Sequence, residues 1–146
     1  MQVQEKKGLS QAIGKSAGGL STKIHALCDA PGNPTYLTSG KAHDLSGADV
    51  LLPELKAKML IADKAYDADK RVLDKLKQMN IEPVIPSKSN RKHQREHDLH
   101  LYKARHLIEN FFQKLKLYRA IGTRYDKTAR NFLAAVYLAA SVILLH

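Results

Sequence analysis

Residues 132–145 read FLAAVYLAASVILL, with Ser141 and the Tyr137 hydroxyl as the only polar side-chain groups in fourteen positions. A helix that is apolar nearly all round has to be buried, in a protein core or in a bilayer. Spanning a bilayer takes about 20 such residues, so this segment is too short and is expected to be a core helix. The N-terminal MQVQEKKG lacks the apolar run of a secretory signal, and no membrane partner is expected. The rest of the chain must therefore supply an apolar surface for that helix to cover.

Short strand-like runs supply it. LSTKIHALCDA alternates loosely between apolar and polar residues, PGNP marks a turn, and TYLTS reads as the second strand of a hairpin. KAHDLSGADVLLPEL holds a short helix, with Asp44 or Ser46 as N-cap. KMLIAD reads as a buried strand ending in an acid. DADKRVLDKLKQMN has Val72, Leu73, Leu76 and Met79 at helical spacing, and IEPVIPS is a strand whose prolines favour a sheet edge. Helices over about 99–121 and 127–145 close the chain. The order, strand-strand-helix-strand-helix-strand-helix-helix, predicts a mixed α/β layout with helices packed on a sheet. The 146 residues fit one domain with a modest single core, entered through a flexible, Gly/Ser-rich lead-in over 1–19.

The chain carries a formal charge of +10, and the excess is concentrated. Residues 86–130 hold 12 of the 24 Lys and Arg against Glu96, Asp98, Glu109 and Asp126, which leaves +8 (12 minus 4) in that segment. A basic patch of this kind suits the phosphate backbone of a nucleic acid, where each neutralised phosphate releases condensed counterions. The lone Cys28 cannot form an internal disulfide, which fits a reducing cytosol, and it reads as a small buried hydrophobe.

Two apparent motifs fail on mechanism. GLSQAIGKS has five residues between Gly8 and Gly14, where a phosphate-binding P-loop needs four, and no strand precedes it. His93, His97 and His100 lack the H-E-x-x-H arrangement and any supporting cysteine, so a solvated or phosphate-contacting segment is the better reading than a zinc site.

The segment LYKARHLIENFFQKLKLYRAI is more informative. Tyr102, Arg105, Glu109 and Lys116 fall within a stripe about 60° wide on a helix. The apolar residues Leu101, Ala104, Ile108, Phe111 and Leu115 centre roughly 100° away. From spacing alone, a solvated face with incidental salt bridges accounts for the stripe. Asp63 is the second candidate, because acids at the carboxyl ends of strands are favoured site positions in open α/β sheets. Asp67 reads as a helix cap or a solvated acid, and Asp29 as a turn residue beside PGNP. Two carboxylates on a strand end and a nearby helix suit Mg²⁺, a hard ion that takes oxygen ligands.

These residues carry a resemblance. The chain resembles the C-terminal catalytic part of bacterial insertion-sequence transposases of the DDE type, from IGKSAGGLSTKIHAL through ADKAYD to YKARHLIENFFQKLK and TRYDKTARNFLAAVYLA. The Tyr-x2-Arg-x3-Glu-x6-Lys signature of these enzymes is met by Tyr102, Arg105, Glu109 and Lys116. The resemblance implies an RNase H-like fold, with a mixed sheet flanked by helices. It makes Asp63 and Glu109 the second and third acids of a catalytic triad that holds two Mg²⁺ or Mn²⁺ ions. Tyr102, Arg105 and Lys116 would then contact DNA, and Lys114 and Arg119 extend that basic set. The implied reaction cuts a phosphodiester bond at the element's end and joins the freed 3′-hydroxyl to target DNA. The family's first acid sits on a strand upstream of AIGKSAGG, where this sequence offers no aspartate before Asp29. The chain is therefore expected to lack the first strand and to be inactive alone. Its partners would be element-end and target DNA, an N-terminal transposase polypeptide that brings the missing strand, and a second copy in a homo-oligomer, all in the cytoplasm. The alternative is a catalytically dead DNA-binding remnant that interferes with intact transposase.

Overall fold

The apolar C-terminal helix packs on a hairpin. In a computed structural model, which describes residues 14–16, 19–40, 44–123 and 128–146, strands β3 (Lys23–Cys28) and β4 (Pro34–Gly40) pair antiparallel. Between them Asp29 does the turn work expected of it: its carbonyl accepts from Gly32 N at 2.9 Å and its Oδ1 from Asn33 N at 2.7 Å. Gly32 sits at φ +93°, a conformation that costs a side chain dearly. Side chains alternate across the hairpin, as the pleat requires. Ile24, Ala26, Cys28 and Leu37 face helices α4 (His106–Lys116) and α6 (Ala129–Leu145). His25 faces the other way, against α1 (Asp44–Leu51).

Helix α6 buries Phe132, Val136, Ala139 and Ala140 on this surface, and Thr128 caps its start by accepting from Asn131 N at 3.3 Å. No helix among the described residues is long and apolar enough to cross a membrane. Tyr137 reaches the hairpin through its hydroxyl, which donates to the Leu37 carbonyl at 2.7 Å and accepts from Leu37 N at 3.2 Å.

A second unit follows. Strand β5 (Met59–Ile61) and β6 (Glu82–Val84) pair parallel, joined by a π-helical turn at Asp69–Leu73 that runs into α2 (Asp74–Gln78). Val72 and Leu76 are fully buried at the spacing read from the sequence, whereas Met79 is exposed. Asn80 ends the helix at φ 55°, and Ile81 N returns to the Leu76 carbonyl at 2.9 Å, a Schellman-type stop. Helix α1 joins the two units. Its Ala48, and Leu52 in the 3₁₀ turn that follows it, lie in the second cluster, while Gly47 backs onto the His25 ring of the first unit.

The described structure differs from the sequence reading in several ways. Buried apolar residues form two clusters, one under α4 and α6 and one under α1 and α2, where a single core was expected. The strands form three separate two-stranded ladders, and β3 and β5 each have one ladder partner among the described residues. Within the expected lead-in, β1 (Gly14–Ser16) pairs with β2 (Gly19–Ser21); residues 1–13 and the P-loop-like Gly8 lie outside the described residues. Ser46 lies inside α1 and caps nothing, since the helix already begins at Asp44.

The long helix expected over 99–121 is divided. Asp98 caps α3 (Leu99–Tyr102), accepting from His100 N and Leu101 N at 2.7 and 3.0 Å, and these backbone bonds hold its carboxyl below the usual range. A 3₁₀ turn at Lys103–Arg105 leads into α4. The chain then breaks at Tyr118, which is extended, before α5 (Arg119–Gly122). The break has a packing reason. On a straight helix Ile121 would point about 120° from Leu115. The kink re-aims it into the first cluster, where it is buried.

Candidate active site and nucleic-acid interface

Glu109 stands on α4 one turn after Arg105, whose guanidinium donates to its carboxylate at 2.5 Å. Arg105 also lies over the Tyr102 ring, 5.7 Å from its centroid, and His97 packs edge-on against the same ring at 5.3 Å. Tyr102, Arg105 and Glu109 thus form one contiguous row, as the spacing predicted. The row is fixed because Phe111 and Leu115 are buried on the adjoining face of α4. Leu101, Ala104 and Ile108, also placed on the core face by spacing, are only half-buried. Lys114 and Lys116 at the end of this helix, and Arg119 at the start of α5, are exposed and have no carboxylate partner among the described residues.

Asp63 follows β5 by two residues and caps the 3₁₀ turn Lys64–Tyr66, its Oδ1 accepting from Ala65 N at 2.7 Å. The side chain is half-buried, and no described bond engages its Oδ2. Tyr66 packs beside it. Burial, with Asp44 and Asp63 nearby, pushes the Tyr66 hydroxyl up to about 12.

Asp63 belongs to the β5–β6 unit, and Glu109 to the helix packed on the β3–β4 hairpin. Both offer the hard oxygen donors that Mg²⁺ or Mn²⁺ accepts. They fit in kind and not in number: no group of three or more His, Cys, Asp or Glu side chains converges as a metal site among the described residues. That also applies to His93, His97 and His100.

Asp67 is the C-cap of the 3₁₀ turn Lys64–Tyr66, its backbone N–H donating to the Lys64 carbonyl at 3.2 Å, but it is not a solvated acid. Its side chain is fully buried and accepts from Arg91 Nε at 2.6 Å, Arg95 at 2.9 Å and Lys88 N at 2.8 Å. Burial opposes its charge, but the Arg91 side chain, the Lys88 N–H and Arg95 outweigh burial and hold its carboxyl down at about 2. Arg91 also makes a two-pronged contact with Asp69, at 3.1 and 2.8 Å. Two arginines of the basic segment are therefore engaged inside the protein. A signal existed in the sequence, in an Asp-x-Asp pair and two arginines each beyond a neighbouring strand, but periodicity does not pair residues 24 and 28 positions apart.

Comparison with known proteins identifies the family. A family model described as "Transposase DDE domain" matches residues 3–144. A Brucella ovis protein named "Putative transposase for insertion sequence element IS6501" is 41% identical over 130 residues, which cover 85% of this chain and 98% of that relative. No solved structure matches. With an acid held in a basic helical row, a second acid at a strand end, and a family match over nearly its whole length, the chain belongs to the DDE transposase family of bacterial insertion sequences.

Proposed function

We propose that this chain serves DNA transposition as the part of an RNase H-like transposase that contributes Asp63, Glu109 and the DNA-phosphate face, and that it acts only when completed by a strand bearing the first acid. The Tyr102–Arg105–Glu109 row carries this reading. A solvated helix face has no need to hold its one acid with an arginine that is itself backed by a tyrosine ring. The paired but separate ladders add to it. Tyr137 occupies both backbone groups of Leu37 that a further strand beside β4 would use, so the accessible side of the hairpin is β3. A strand between β3 and β5 would join the two units into one mixed sheet and add its aspartate between Asp63 and Glu109.

The division of labour follows from the side chains. Lys114, Lys116 and Arg119 bind backbone phosphates and fix the register of the DNA, without reading its sequence. Arg105 orients the Glu109 carboxylate and offsets its charge as the polyanion approaches; Tyr102 holds Arg105 in place. Members of the family work with divalent metal ions. Asp63 and Glu109 would be two of the ligands to Mg²⁺ or Mn²⁺, which when bound activates the attacking oxygen and stabilises the leaving one. The test is a strand-transfer assay on element-end DNA with the completing polypeptide present. Asp63→Asn and Glu109→Gln should each abolish joined product while leaving DNA binding intact; product formed by either variant would refute the assignment.

One observation favours a second reading. The described residues do not assemble a three-ligand site. A chain that binds DNA without cutting it would compete with intact transposase for the element's ends. In that case no completing polypeptide would restore joining.

A further inference from the structure

The buried carboxylate of Asp67 has no part in the scheme above, yet it is the most heavily bonded acid among the described residues. Its three donors all come from the segment that follows β6: Lys88 N and Arg91 Nε on Oδ2, and Arg95 on Oδ1. Arg95 also donates to the Ile85 carbonyl at 3.1 Å, and its own N–H to Ser87 Oγ at 2.8 Å. Gln94 folds the segment on itself by donating to the Lys88 and Arg91 carbonyls at 3.1 and 3.2 Å. A stretch without helix or strand is thus tied to Asp67 and folded onto itself by these bonds.

Its place matters. β5 and β6 are parallel, with Ile61 paired to Val84, so their carboxyl ends leave the sheet on the same edge. Asp63 emerges from one strand and the pinned segment from the other, and Ala62 N still bonds the Val84 carbonyl at 3.3 Å. Arg91 and Arg95 are matched by Asp67 and Asp69 and so contribute no free charge. Lys88 and Lys92 have no carboxylate partner among the described residues, and Lys92 is exposed. Asp98 is occupied in capping α3, and Glu96 is exposed at the segment's far end.

We propose that Asp67 is a positioning residue: through Arg91 and Arg95 it fixes the segment after β6 on the edge that carries Asp63, and so presents Lys88 and Lys92 as a second phosphate-contacting edge beside that acid. The inference rests on the DNA-directed reading of the chain and adds to the α4 face a separate contact. Arg91 on this account is a clamp and not a DNA ligand, although its charge alone would suggest the opposite.

The experiment measures binding of the full chain to a fluorescein-labelled random-sequence duplex across a KCl series. Lys88→Ala with Lys92→Ala should reduce the slope of log K against log salt by about 2, one phosphate contact for each lysine. Asp67→Asn is the obvious clamp variant but removes a buried charge partner and can fail to fold. Arg91→Lys keeps the charge and loses the fork, so it is the deciding variant, with far-UV circular dichroism checking the fold. A folded Arg91→Lys chain should lose the same slope as the double lysine variant. Wild-type slope in Arg91→Lys, or in the double lysine variant, would overturn the proposal. A parallel variant, Lys114→Ala with Lys116→Ala and Arg119→Ala, separates the two readings. Loss of slope there alone keeps the α4 face and sinks this edge, and loss in the loop variants alone does the reverse. Salt-independent or absent binding by the wild type overturns both.

Discussion

The Tyr137 hydroxyl takes both backbone groups of Leu37, donating to its carbonyl at 2.7 Å and accepting from its N–H at 3.2 Å. A helix residue thereby does what a neighbouring strand would do, and closes the outer edge of β4 against further pairing. Tyr137→Phe leaves the apolar contact in place and orphans these groups. It should destabilise the chain by about 1–3 kcal/mol, read as a lower urea midpoint with an unchanged m-value. An unchanged midpoint would mean that the bonds contribute nothing.

The junction between the two units makes a sharper demand. A Cβ on Gly47 would lie 2.4 Å from His25 Nδ1, so Gly47→Ala must displace a buried ring. The expected cost is about 1–3 kcal/mol, of the size seen for overpacking elsewhere. Combining it with His25→Ala should recover part of that loss, a coupling that a double-mutant cycle on thermal unfolding would expose.

Acid should weaken the fold in two stages. Burial of His25 depresses its pKa below 6.5, with Asp44 opposing and Lys23 adding to the shift. The unfolded chain then binds more protons than the native one, so this contribution is complete above pH 6.5 and is lost as pH falls below it. Asp67 follows the same sign at lower pH: its stabilisation is present above 3.8 and is lost as pH falls towards about 2. Unfolding midpoints from pH 7 down to about 2 test this, and His25→Gln should flatten the upper stage only.

The Arg105–Glu109 pair should matter for chemistry far more than for folding. Arg105 is 30% and Glu109 48% exposed, and exposed pairs one turn apart stabilise by less than about 1 kcal/mol. Arg105→Ala should therefore unfold at nearly the wild-type midpoint while losing strand transfer in the completed enzyme. A large fall in stability would make the pair a structural device.

Strand and helix order was legible because periodicity is a local property: the alternation in KIHALC, the spacing of Val72 and Leu76, and the apolar run of α6 all reappear as faces and cores. The row from Tyr102 to Glu109 was legible for the same reason. What escaped was non-local. The division of the core into two clusters depends on which strands pair, and the Asp67 cluster joins a strand-end turn to a segment more than twenty residues on. The break at Tyr118 escaped too, since only the position of the first cluster explains why Ile121 must turn inward.

The most direct test of the central claim is Mg²⁺- or Mn²⁺-dependent cleavage of the DNA ends flanking the element, by this chain alone and with an added polypeptide that carries an apolar strand with an aspartate. The account predicts cleavage only in the mixture, and its loss when Glu109→Gln replaces the wild type. Efficient cleavage by the chain alone, or cleavage in the mixture that survives Glu109→Gln, would contradict it.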